Sequence, residues 1–104
     1  GFPGHAAYTA AKHGVIGLTK TAAIDYAKVG IRVNAVCPAY TRTPMVTRML
    51  ESRPEFEAKL IDRVPLKRLG TAEEIAQAVI YLFSDAAAFI TGHSLVLDGG
   101  IVAE

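Results

Sequence analysis

The sequence predicts an α/β fold with a parallel sheet. Residues 6 to 29 read as one helix, and Ile31-Arg32-Val33-Asn34-Ala35-Val36-Cys37 follows at once as a short β-branched run closed by Pro38. A helix feeding directly into a buried strand is the second half of a β-α-β crossover, which makes the strand parallel to its partner. The same order recurs at the end of the chain, where a helix over residues 71 to 84 precedes the strand Ser94-Leu95-Val96-Leu97.

Each element has its own local reason. The first helix is rich in alanine, with Val15, Leu18, Ala22 and Tyr26 spaced to share a face, and Gly30 stands where a left-handed C-terminal cap belongs. Gly14 and Gly17 lie inside it at a cost of about 1 kcal/mol each relative to alanine, which predicts close packing against a neighbouring helix or sheet. Residues 38 to 70 are punctuated by Pro38, Pro44, Pro54 and Pro65, leaving room for short helices at about 45 to 52 and 55 to 62. A long excursion of this kind in a compact α/β domain reads as a lid or substrate wall. Thr71-Ala72-Glu73-Glu74 is a capping box, and its helix turns Ile75, Val79, Leu82 and Phe83 toward the core. Asp98-Gly99-Gly100 ends the final strand.

Composition narrows the function. The chain has 104 residues, 51% of them hydrophobic, and a net charge of +1, which excludes the electrostatic footprint of a nucleic-acid binder and the composition of a disordered chain. No apolar run approaches the ~20 residues that span a bilayer. The single cysteine, Cys37, permits no internal disulfide and fits a small buried hydrophobe in a reducing compartment, so a cytoplasmic location is expected. His5, His13 and His93 lack ligand spacing, and no metal site is expected. The opening Gly1-Phe2-Pro3-Gly4 reads as a turn in mid-chain. Two strands and two principal helices cannot cover both faces of a parallel sheet, so residues 1–104 are expected to be the C-terminal part of a larger domain.

One pair of residues carries chemistry. Tyr8 and Lys12 are four apart at the head of the first helix, where an ammonium can stand beside a phenol. A nearby positive charge favours phenolate and draws a group with an ordinary pKa near ~10 toward the range of a proton-transfer catalyst. An ordinary pair on a helix surface has the same spacing.

Taken in order, Tyr8-Thr-Ala-Ala-Lys12, Ile31-Arg-Val-Asn-Ala-Val-Cys-Pro38, Thr43-Pro-Met45, Ile90-Thr-Gly92 and Leu97-Asp-Gly-Gly100 resemble the C-terminal part of the short-chain dehydrogenase/reductase superfamily. The resemblance implies a doubly wound, three-layer α/β/α Rossmann fold whose N-terminal cofactor-binding half lies upstream. It implies an oxidoreductase that uses NAD or NADP to interconvert a secondary alcohol and a ketone. Tyr8 would be the acid/base at the substrate oxygen, and Lys12 would lower its pKa and bind the nicotinamide ribose. The loop Pro38-Ala39-Tyr40-Thr41-Arg42-Thr43 would lie beside the nicotinamide at a strand's carboxyl end, where open α/β sheets place ligands. Pro38, Ala39, Thr41 and Thr43 would then contact cofactor, with the Thr41 backbone and the Thr43 hydroxyl on the carboxamide.

Ala39 replaces the glycine the superfamily most often has there, and alanine tolerates positive φ less well. The alternative for Thr43 is a plain cap or turn residue ahead of Pro44. Tyr40, Met45 and Met49 are the candidate substrate contacts; Leu50, Phe56, Leu60 and Ile61 could join them, while Arg48, Arg53 and Lys59 face either an acidic group or solvent. The resemblance also implies a homo-oligomer, a dimer or tetramer. The superfamily's glycine-rich loop, active-site asparagine and catalytic serine would precede this segment, so the chain alone is expected to be inactive. A non-catalytic, dinucleotide-sensing or scaffolding relative is the alternative.

Overall fold

Local signals build most of the elements, and the computed structural model of the protein describes residues 6–103, the side chain of Tyr8 excepted. The turn expected at residues 1–4 lies outside the described residues. Helix α1 (Ala6–Ala27) ends in a Schellman motif: Gly30 has φ +79°, its N–H donates to Ala27 O at 3.0 Å, and the Ile31 N–H donates to Tyr26 O at 3.2 Å. Strand β1 (Ala35–Pro38) is followed by β2 (Thr41–Arg42), then helices α2 (Pro44–Glu51) and α3 (Pro54–Arg63). Strand β3 (Gly70–Thr71) leads into α4 (Ala72–Phe83), and β4 (Ser94–Leu97) follows a 3₁₀ turn at Asp85–Ala87. A second 3₁₀ turn covers Ile101–Ala103. Proline opens both α2 and α3, where its missing N–H leaves no helical bond unmade.

Both strand pairs are parallel. β1 bonds to β4, with Ala35 N–H on His93 O (2.8 Å) and Ala39 N–H on Leu97 O (3.0 Å), so both strands advance in one direction. β2 pairs with β3 in the register Thr41 to Gly70 and Arg42 to Thr71. The sequence gives no sign of this second pair, because two residues are too few to show a period.

The chain divides into two compact units, Gly1–Ala35 with Leu82–Leu95 and Val36–Tyr81 with Val96–Glu104. In the first, Asn34 knits the segment after α1 to the segment before β4. Its Nδ2 donates to Ile90 O (3.1 Å) and its Oδ1 accepts the His93 N–H (3.0 Å). Ala23 and Ala87 are buried, and a Cβ at Gly92, which has φ +73°, would lie 3.4 Å from the Ala23 methyl.

The expected face of α1 is corrected. Val15, Leu18 and Tyr26 are exposed, Leu18 to 69%, and the least exposed of the described side chains are Thr9, Ile16, Thr19, Ala22 and Ala23. Apolar residues are spread around this helix axis, so the pattern selects no face. Thr19 is tolerated inside because its hydroxyl donates to Val15 O at 2.7 Å. The close neighbours expected at Gly14 and Gly17 are likewise not found among the described residues, since a Cβ at either would meet nothing within 4 Å.

In the second unit Leu50, Val64 and Leu69 form the core, and Leu50, 1% exposed, contributes about 1.5–3 kcal/mol by its burial. The capping box forms as expected. Thr71 Oγ1 accepts the Glu74 N–H (3.1 Å) and Glu74 Oε1 accepts the Thr71 N–H (2.9 Å). Along α4, Ile75 and Val79 are half-buried; at its end, which belongs to the first unit, Leu82 is buried but Phe83 is 83% exposed, contrary to expectation. Phe83 is the last residue of α4, and no described segment packs over its ring.

Candidate functional site

Because α1 is unbroken from Ala6 to Ala27, Tyr8 and Lys12 are about one helical turn apart on one element of the first unit. Lys12 is exposed; the Tyr8 side chain lies outside the described residues.

The second unit gathers the other candidates. Pro38 ends β1, and the loop to Thr43 is fixed by one bond within it and one from β3. The Thr41 hydroxyl donates to Ala39 O at 2.9 Å, and Gly70 N–H donates to Tyr40 O at 2.9 Å. Ala39 takes an ordinary conformation, since Lys67 is the only non-glycine residue of positive φ among the described residues. The strain expected of an alanine at that position is therefore absent. Thr43 is the N-cap of α2, its Oγ1 accepting the Val46 N–H at 3.2 Å. An N-cap uses the hydroxyl oxygen and leaves its proton free to donate. The Thr43 hydroxyl thus retains a donor, while that of Thr41 is committed to Ala39.

Tyr40 lines a groove of about 510 Å³ within this unit. Val64, Pro65, Leu66, Ile75, Val96 and Leu97 supply apolar walls, and Arg68, Glu74 and Asp98 a polar border. Gly99 and Gly100, with φ +64° and +102°, shape one end. A Cβ on Gly99 would come within 2.5 Å of Val64 Cγ1, and one on Gly100 within 3.2 Å of Pro65. Met45 and Met49 are not among the lining residues; both are exposed on α2.

The polar border is internally satisfied. Arg68 grips Glu74 through two bonds of 2.7 and 2.8 Å. That grip, followed by the Thr71 N–H, pulls the Glu74 carboxyl down to about 2, and the carboxylate in turn raises the Arg68 guanidinium. Asp98 accepts the Gly100 N–H (2.9 Å) and the Val102 N–H (3.0 Å), which hold its carboxyl below the usual range. These groups fix the turn after β4. No grouping of three His, Cys, Asp or Glu side chains suited to a metal exists among the described residues.

Sequence reasoning missed the groove and a tie between Arg42 of β2 and Glu57 of α3. The glycine pair at 99 and 100 is the one readable sign of the groove's tight end.

Residues 1–102 match the family described as enoyl-(acyl carrier protein) reductase. The chain is 50% identical over 98 residues to the short-chain dehydrogenase srdC of Neurospora crassa, covering 94% of this chain and 36% of that protein. It is similar to 4-hydroxyisoleucine dehydrogenase complexed with NADH, with TM-score 0.88 and 39% identity over 95% of this chain and 40% of the other. ElxO with NADP bound superposes with TM-score 0.92 and 38% identity, over 100% of this chain and 42% of that one. The chain therefore spans well under half the length of these relatives.

Proposed function

Since the chain belongs to the short-chain dehydrogenase/reductase superfamily, with a Rossmann-type α/β fold, we propose that it is the C-terminal part of a nicotinamide-dependent oxidoreductase. The reaction is the interconversion of a secondary alcohol and a ketone with NAD or NADP. The observation that carries this reading is the Tyr8–Lys12 spacing on one continuous helix of a chain so matched.

When bound, the dinucleotide accepts or supplies the hydride. The chain's own residues handle the proton. In oxidation Tyr8, as phenolate, takes the proton of the substrate hydroxyl; in reduction the phenol returns it to the carbonyl oxygen. Lys12 favours the phenolate by its charge and binds the ribose. The Thr43 hydroxyl suits the carboxamide, because capping α2 fixes the oxygen in place and leaves the proton to donate. Thr41 contributes through its backbone, its hydroxyl being engaged with Ala39, and Pro38 and Ala39 complete the loop wall. Tyr40, by its place in the groove, meets the apolar part of the substrate, and Met45 and Met49, exposed on α2 outside the groove's lining, are further substrate contacts.

The upstream half of the domain covers α1 and supplies the phosphate-binding loop, so these 104 residues alone neither bind dinucleotide tightly nor turn over. The exposed apolar side chains of α1 and α4, Leu18 and Ile80 among them, suit burial by that half and by a second copy in a homo-oligomer. The free Cys37 suits the cytoplasm. No helix among the described residues is long and apolar enough to cross a membrane.

Tyr8→Phe in the full-length protein is the test, with steady-state rates and dinucleotide binding measured together. Turnover should fall by about 10²–10⁴-fold with binding retained. Unchanged turnover would remove Tyr8 from the chemistry, and a wild-type protein that binds dinucleotide without turnover would be the sensing relative instead.

A further inference from the structure

We infer that Arg42 and Glu57 are a positioning pair that locks lid helix α3 to the strand bearing Thr41, so that cofactor loop and lid hold one geometry. This deepens the proposed oxidoreductase and rests on it for the meaning of the loop.

Arg42 is the second residue of β2 and lies between the two threonines assigned to the nicotinamide. Its backbone is fixed by the register of Arg42 on Thr71, while its guanidinium Nη2 donates to Glu57 Oε1. That bond closes a path of fifteen residues, through α2, into the first part of α3.

Burial does little to hold α3. None of its side chains is fully buried, and its N-cap, Arg53, makes no side-chain capping bond. A helix with so little buried surface belongs to the low-stability parts of a fold, where one tether weighs more than in a core. The pair is also better shielded than its neighbours. The Arg42 and Glu57 side chains are 41% and 29% exposed, against 60% and 86% for Lys67 and Asp62 and 54% and 46% for Arg68 and Glu74. Those two pairs close only short spans of five and six residues. Glu57 additionally lies in the first turn of α3, where a carboxylate favours the helix dipole, so its loss acts on the helix twice.

The test is a double-mutant cycle of Arg42→Gln, Glu57→Gln and the double variant in the full-length protein. Amide hydrogen exchange over residues 57–63 reads the tether without reference to activity. Arg42→Gln should speed exchange there by about fivefold, the upper end for a partly exposed pair. The double variant should exchange no faster than Glu57→Gln alone. Unchanged exchange, or strictly multiplicative effects, would overturn the tether.

Steady-state kinetics then reads its role. Substrate KM should rise about three- to fivefold in Arg42→Gln with kcat within twofold, as expected when a substrate wall loosens. Faster exchange with unchanged KM would leave a structural tie and overturn the positioning role. A wild-type protein without turnover would sink the functional reading and the lid role together, while exchange would still decide the tether.

Discussion

Gly99→Ala should be among the most damaging conservative substitutions in this chain, and its cost divides into two parts. Gly99 has φ +64°, a region that costs a residue with a Cβ about 1–2 kcal/mol. The new methyl would also stand 2.5 Å from Val64 Cγ1, and Val64 is only 3% exposed, so it has little room to retreat. Forcing an extra methyl into such a place costs about 1–3 kcal/mol. Together the two parts amount to about 2–5 kcal/mol. Gly30 provides the control, because it has φ +79° and an added methyl there would meet nothing within 4 Å among the described residues. Gly30→Ala should therefore cost only the backbone share, about 1–2 kcal/mol. Urea unfolding of the full-length protein measures both, and Gly99→Ala with Val64→Ala should be less destabilised than the sum of its singles. Equal costs at Gly30 and Gly99, or strict additivity with Val64→Ala, would refute the steric argument.

Two further outcomes follow from the same geometry. The Glu74 carboxyl should titrate by NMR near 2 rather than the ordinary 4.5, and should move back up in Arg68→Ala or on adding salt, since the pair is exposed. With the folded pKa depressed, the stabilisation from Glu74 is complete above about 4.5 and is lost as pH falls toward 2, so Glu74→Gln should flatten the acid limb in that window. Gly17→Ala should destabilise the full-length protein, because the proposed upstream half packs where a Cβ now meets nothing within 4 Å; a gain of about 1 kcal/mol, the ordinary helix preference for alanine, would count against that half covering α1.

The parts of the fold that are legible in the sequence are those fixed within a few residues. Gly30 marks the end of α1 because the Schellman turn needs a left-handed residue there. Thr71 and Glu74 mark the start of α4 because both halves of a capping box are present three residues apart. Pro44 and Pro54 place α2 and α3 to within a residue or so, since proline suits a first helical turn. At the site, the one-turn spacing of Tyr8 and Lys12 and the capping alternative for Thr43 are both readable from the chain. The strand before Pro38 is the exception to local success. Residues 31–34 read as strand by composition, yet the strand begins at Ala35, after a segment in which the side chains of Asn34 and Thr91 replace ladder bonds.

The sequence by itself determined the order and type of the principal elements and the one-turn spacing of Tyr8 and Lys12, because these rest on caps, periods and spacings along the chain, and its motifs carried the resemblance to the superfamily. Tertiary structure alone decided which stripe of α1 is least exposed, where Phe83 goes, that β2 meets β3, and that Arg42 reaches Glu57. Those outcomes depend on which distant segment arrives at each surface. An all-round apolar helix, a two-residue strand and one arginine among several carry no local mark of their partner.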